Sequence, residues 1–231
     1  MVIIAHRSGP VNYPEQTIQS ARESLSLGAD VVEIDVRLTS DNVLAICHDP
    51  NAKRVFGVDK EISQMTAEEF RTLRHAKDPA FCSHLFEDVL KAGIAPLLIH
   101  IKSVAGTAPE AIISELVRLV EKYDYTDRVI FGIPSTKYIS VIREMNDKIR
   151  ILSFGDRDKT DDFISADIDY IRLWEEWLEP ELVEKVKNSK SKLWVMSGIK
   201  GAVGYPTDDG LRKILSFEPD GILINDVRIL K

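Results

Sequence analysis

Short runs rich in valine, isoleucine and leucine recur along the chain and alternate with amphipathic stretches, the pattern of a parallel sheet whose crossovers are helices. Eight runs are predicted as strands: Val2 to Ala5, Val31 to Val36, Leu97 to Ile101, Val129 to Phe131, Ile149 to Ser153, Tyr170 to Leu173, Leu193 to Ser197 and Gly221 to Asn225. Helical stretches are predicted at Thr17 to Leu27, Leu85 to Ala92, Pro109 to Lys122, Thr136 to Met145, Asp161 to Ser165, Pro180 to Asn188 and Asp208 to Phe217. The first has Ile18, Ala21 and Leu25 at helical spacing, with Pro14 ahead of it and Gly28 as a stop. Eight strands alternating with helices over 231 residues predict a (β/α)8 barrel of the TIM type rather than a doubly wound open sheet. No Ser/Gly/Pro-rich linker or low-complexity tract interrupts the pattern, so residues 1–231 read as one domain.

Two features distort the even barrel. A ninth strand-like run, Val43 to Cys47, follows the second strand too closely for a helical crossover and must return antiparallel as a hairpin. With Asp41 and Asn42 as a two-residue loop, Val36 pairs with Cys47 and Asp35 with His48, which sets the second imidazole on the same face as the carboxylate. Asp49 to Ser83 then follows as an irregular stretch. At the other end, only six residues follow Asn225, so the last helix is truncated or absent. The barrel wall it would cover is a weak hint of a homo-oligomer.

The formal charge is −7 with acidic and basic residues interspersed, which argues against a nucleic-acid partner. The N-terminus has no signal-peptide pattern, and no 18-residue apolar stretch occurs, so no stable membrane association and a cytoplasmic location are expected. Cys47 and Cys82 have no zinc-ligand spacing and read as buried or half-buried thiols.

Chemistry-bearing residues gather at the ends of the first strands, where barrel enzymes place their sites. His6 and His48 are paired imidazoles suited to acid and base work near neutral pH. Glu33 and Asp35 alternate on Val31-Val32-Glu33-Ile34-Asp35-Val36, where charge among valines must be ion-paired or metal-bound. His100 and Lys102 repeat the alternation on the next strand; an imidazole there completes a metal site, and Lys102 suits a phosphate oxygen. Arg7 offers a planar fork for a phosphate or a partner for Glu15, and Trp174 ends a strand where a substrate pocket can form. His75 and His84 lack such surroundings and read as incidental.

These residues resemble the glycerophosphodiester phosphodiesterase family. His6-Arg7 followed by Pro14-Glu15-Gln16-Thr17 is similar to its His-Arg-Gly and Pro-Glu-Asn-Thr signature. Glu33-Ile34-Asp35-Val36, His48-Asp49, His100-Ile101-Lys102 and Asp220-Gly221-Ile222-Leu223-Ile224-Asn225-Asp226 follow in order. The resemblance implies a distorted barrel with a small insertion after the second strand, here roughly Asp49 to Ser83, that hydrolyses glycerophosphodiesters to glycerol 3-phosphate and an alcohol, with a small-molecule phosphodiester as its partner. It implies His6 and His48 as the acid and base pair, Glu33 and Asp35 as ligands of one divalent metal ion, magnesium or calcium, and Arg7 and Lys102 as phosphate holders. Glu15 and Trp174 remain candidates for the substrate pocket.

The chain departs from the pattern at Ser8 (a glycine in the family), at Gln16 (an asparagine), at Met196-Ser197-Gly198, and at His100, which stands where a carboxylate metal ligand is expected. A nitrogen donor in place of that carboxylate favours manganese, zinc or another transition metal. Two other readings stay open: a phosphodiester-binding protein whose metal site is impaired by His100, and a phosphodiesterase acting on lysophospholipids.

Overall fold

The computed structural model describes residues 1–102 and 109–231. Eight parallel strands close into a barrel: β1 (Val2–Ala5), β2 (Val31–Leu38), β4 (Leu97–Ile101), β5 (Val129–Ile133), β6 (Arg150–Ser153), β7 (Tyr170–Trp174), β8 (Lys192–Met196) and β9 (Gly221–Ile224). Closure is made by β1, which pairs in parallel with both β2 and β9. Between the strands run α1 (Ile18–Ser26), α4 (Phe86–Lys91), α5 (Pro109–Lys122), α6 (Lys137–Met145), α7 (Thr160–Ser165), α8 (Pro180–Lys187) and α9 (Asp208–Ser216). No helix among the described residues is long and apolar enough to cross a membrane.

Strand period separates two cores. Ile4, Val31, Leu98, Ile130, Leu152, Met196 and Leu223 fill the barrel interior. Their strand neighbours, including Val32, Ile34, Ile99 and Ile151, face outward against the helices. Helix α5 shows why the crossovers hold: Ile113, Leu116 and Val120 recur at helical spacing and are fully buried, each stabilising by roughly 1.5–3 kcal/mol relative to exposure. Helix α1 starts where Thr17 Oγ1 accepts the Ser20 amide at 3.1 Å.

The hairpin partner β3 (Leu44–Ile46) is antiparallel to β2, as expected, but its register is shifted by one residue. Val36 pairs with Ile46, and the Cys47 amide donates to the Asp35 carbonyl, so Cys47, not His48, stands opposite Asp35. The cause is the turn. Asn42 adopts φ 58°, and the Thr39 amide donates to the Val43 carbonyl, which makes Ser40, Asp41 and Asn42 a three-residue loop with a left-handed last residue. His48 still reaches the barrel mouth, because Arg37 grips its carbonyl through Nε (3.1 Å) and Nη2 (2.7 Å).

The insertion after β3 contains two short helices, α2 (Lys53–Phe56) and α3 (Ala67–Arg71). Val55, Phe56, Ile62, Met65 and Phe70 pack on Ala45, Cys47 and Leu85 as a separate small core. Both thiols are free, Cys47 buried and Cys82 half-buried, and burial pushes Cys47 up to about 12. After β9 the chain makes a single 3₁₀ turn, Val227–Leu230.

Candidate active site

The end of β1 turns sharply. Arg7 (φ 50°), Ser8 (φ 68°) and Gly9 (φ 67°) form a left-handed run, costly at the two non-glycine positions unless the surroundings over-determine it. They do: the Ser20 and Ser24 hydroxyls of α1 both donate to the Ser8 carbonyl (2.9 and 2.8 Å), and a Cβ at Gly9 would meet Ser24 Oγ at 2.1 Å. The turn buries His6 and aims the Arg7 amide at Glu33 Oε2, 2.6 Å away.

Two asparagine bonds orient His6. Asn225 Nδ2 donates to the Val203 carbonyl at 3.0 Å, which leaves Oδ1 to accept from His6 Nδ1 at 2.7 Å. The proton therefore sits on Nδ1, and the Nε2 lone pair is free. Burial, helped by Arg7, pulls His6 down to about 4, so the ring is neutral near neutral pH.

Glu33 and Asp35, fully buried on β2, each have one oxygen anchored. Glu33 Oε2 takes the Arg7 amide; Asp35 Oδ2 takes Gln16 Nε2 at 2.5 Å, while Gln16 Oε1 accepts the Asp35 amide. Glu33 Oε1 is buried with no hydrogen-bond partner among the described residues, and Asp35 Oδ1 is buried against the Lys102 ammonium at 2.8 Å. The register pairs Asp35 with His100, and His100 Nδ1 lies 3.0 Å from Asp35 Oδ1 and 3.8 Å from Glu33 Oε1. One ligand atom from each residue falls within 4.8 Å of the others. Two buried carboxylate oxygens converging with an imidazole nitrogen fit a divalent cation.

The electrostatics suit the same purpose. Burial and the adjacent Asp35 push Glu33 well above the usual carboxylate range. Burial alone would raise Asp35 too, but Lys102 and His100 hold it well below. Lys102 Nζ sits 2.8 Å from Asp35 Oδ1 and donates to His100 Nδ1 at 2.9 Å, an ammonium beside the atoms a cation would need. Burial, then Lys102, takes His100 down to about 3, leaving a neutral ring with an acceptor nitrogen.

At the rim a chain of charges joins His48 to Arg7. His48 Nδ1 meets Asp49 Oδ1 at 2.7 Å; Arg54 Nε donates to Asp49 Oδ2 at 2.5 Å and binds both Glu15 oxygens (2.6 and 2.9 Å). Glu15 Oε2 then lies 3.5 Å from Arg7 Nη1. Burial lowers His48, with Lys102 and Arg7 adding to the effect and Asp35 opposing it. Glu15 borders a cleft of about 370 Å³ that is also lined by Tyr13, Arg54, His75 and Tyr205. His75, read as incidental, is thus part of that wall.

Trp174 lies across the mouth on β7, apart from this cluster. There Phe154 stacks on His100 with centroids 3.7 Å apart, and the buried Arg172 guanidinium faces Phe154, Trp174 and Trp177. Asn225, Arg54, Phe154 and Arg172 escaped the sequence reading. Arg172 carried a readable signal, since it alternates with Tyr170 and Trp174 as Glu33 does with Asp35; Arg54 carried none.

Fold and site define a (β/α)8 barrel with two imidazoles and a cation-ready triad at the C-terminal rim of its strands. The glycerophosphoryl diester phosphodiesterase family matches residues 6–223, and the chain belongs to that family. A glycerophosphodiester phosphodiesterase of Caldanaerobacter subterraneus subsp. tengcongensis is 30% identical over 138 residues, 57% of this chain and 57% of the relative. One from Bacillus altitudinis is 31% identical over 122 residues, 52% of this chain and 47% of the relative. The chain's match spans about half the length of these relatives. An Oleispira antarctica phosphodiesterase, solved with the product sn-glycerol-3-phosphate, shares the fold at a TM-score of 0.85 and 16% identity, over 100% of this chain and 95% of that one. The glycerophosphodiester phosphodiesterase of Thermotoga maritima does so at 0.78 and 18%, over 100% and 96%.

Proposed function

We propose that residues 1–231 act as one catalytic domain that hydrolyses glycerophosphodiesters to glycerol 3-phosphate and an alcohol. The observation that carries the reading is the convergence of two buried carboxylate oxygens, Glu33 Oε1 and Asp35 Oδ1, with His100 Nδ1. Family membership and the names of the relatives support the substrate class.

Glu33, Asp35 and His100 would hold one divalent cation, which when bound supplies positive charge to the phosphate. Arg7, whose Nε is buried without a partner among the described residues, and Lys102 bind the phosphate oxygens and neutralise the charge that builds during attack. His6 takes the proton of the attacking hydroxyl on its Nε2, either from water directly or from the substrate's own glycerol, in which case water then opens the resulting cyclic phosphate to glycerol 3-phosphate. His48 gives a proton to the departing alkoxide. Their partners support this assignment: a neutral amide backs His6, whereas the Asp49 carboxylate beside His48 opposes the loss of its proton that burial favours.

One observation favours a second reading, a phosphodiester-binding protein with an impaired metal site: the Lys102 ammonium already lies against Asp35 Oδ1 and His100 Nδ1. Turnover of glycerophosphodiesters by His6→Ala and His48→Ala decides. Each substitution is expected to lower kcat by about 10²–10⁴-fold; near-wild-type turnover in either would overturn the hydrolytic mechanism.

A further inference from the structure

Arg172 is a charge without a counter-charge. It lies on the inner face of β7 and is 3% exposed. Its only side-chain hydrogen bond among the described residues runs from Nη2 to the Gly155 carbonyl at 3.3 Å; Nε and Nη1 are buried and unpartnered. The single carboxylate that acts on it is Asp156, on the exposed loop after β6, and burial dominates, lowering its pKa. Aromatic faces surround it instead: its guanidinium carbon is 4.8 Å from the Trp174 centroid and 5.2 Å from those of Phe154 and Trp177.

A buried cation left this way is costly, and a leucine or methionine would fill the same space without the cost. Nor does the residue serve the triad. Phe154 separates them, stacked on the His100 ring and seated over Gly132, where a Cβ would come within 2.5 Å of it. Arg172 therefore lies one phenyl ring away from the centre where the phosphate would bind. The two tryptophans beneath it open onto a pocket of about 210 Å³, whose remaining lining is Glu176, Lys200 and Val203.

We infer that Arg172, on the Phe154–Trp174–Trp177 shelf, is the specificity residue for the alcohol arm of the diester and receives an oxyanion on that arm, a carboxylate or a second phosphate. The inference rests on the hydrolytic reading above. It also excludes a choline arm from the shelf. Three aromatic faces would ordinarily attract a quaternary ammonium, but here they are already covered by a guanidinium that repels a second cation.

Four diesters of glycerol phosphate test this, with arms of glycerol, glycerate, glycerol phosphate and choline. The wild type is expected to show kcat/KM about tenfold or more higher for the two charged oxyanion arms than for glycerol, with choline lowest. Arg172→Met should erase the preference, lowering the oxyanion arms about 10- to 100-fold, chiefly through KM, and leaving glycerol within about threefold; Arg172→Lys should keep part of it. Loss of equal size on all four arms would place Arg172 on the reacting phosphate and overturn the inference, as would a wild type that prefers choline or shows no preference. Wild-type preference needs no variant, so a misfolded Arg172→Met leaves the inference testable. Equilibrium binding of the same diesters to His6→Ala, with and without Arg172→Met, reads the arm preference without turnover. Hydrolysis without preference sinks the role of Arg172 alone; preferential binding without hydrolysis in the wild type sinks the hydrolytic reading alone.

Discussion

The two halves of the barrel mouth handle charge in opposite ways. On β1, β2 and β4 the site's charged groups and imidazoles have polar partners: Glu33 the Arg7 amide, Asp35 Gln16 and Lys102, His6 Asn225, and His48 through Asp49 and Arg54 Glu15. On β6 and β7 one guanidinium stands among aromatic rings with most of its donors idle. A tied network holds reacting groups still, which suits a step common to all substrates. An untied cation suits the part of the substrate that varies.

The same substitution on each half should therefore have opposite signs. Lys102→Met strips Asp35 of its ammonium and leaves a buried carboxylate pair uncompensated; in metal-free protein it should cost about 3–5 kcal/mol, measured by denaturant unfolding. If instead it is neutral, the left half is not the charge-balanced network described.

Acid attacks the same half. The His6 value drops from 6.5 to about 4 on folding, so the folded state disfavours the proton. Stability is complete above pH 6.5 and falls as the pH approaches 4, by about 3 kcal/mol at most from this residue. Chemical unfolding of the wild type and His6→Ala across that range checks it: the variant should show a shallower slope, and identical slopes would remove His6 from the account.

A smaller effect is expected at the rim. Arg54→Met breaks the link between Asp49 and Glu15 without touching the triad, and kcat should fall about tenfold with stability little changed. The acid limb of the kcat–pH profile should also move as Asp49 gains freedom; an unmoved profile would make the chain of charges purely structural.

The smallest change is the mirror of the first. Arg172→Met removes an uncompensated buried charge and should stabilise metal-free protein by about 1 kcal/mol. A clear loss of stability would mean that the guanidinium is anchored after all.

Much of this architecture was legible in the sequence, because strands buried on both faces leave apolar runs and helices leave a periodic stripe. Alternation marks Glu33, Asp35, His100 and Lys102, and His6 directly follows the first apolar run. The helices α2 and α3 are too short for periodicity to register. The hairpin slipped because Asn42 could accept a left-handed conformation, a choice made by Thr39 and Val43 rather than by the loop residues themselves. Asn225 and Arg54 are brought to the site from strands and loops far away in the chain, and no local pattern announces such a meeting. Arg172 carries the same alternation as Glu33 and Asp35, between Tyr170 and Trp174.

The most direct measurement follows phosphorus by NMR in a mixture of glycerophosphodiesters incubated with protein stripped of metal and then supplied separately with magnesium, calcium, manganese and zinc. The account predicts a growing glycerol 3-phosphate resonance with at least one cation and none under chelation. Equal product under chelation, or no product with any cation, would contradict it.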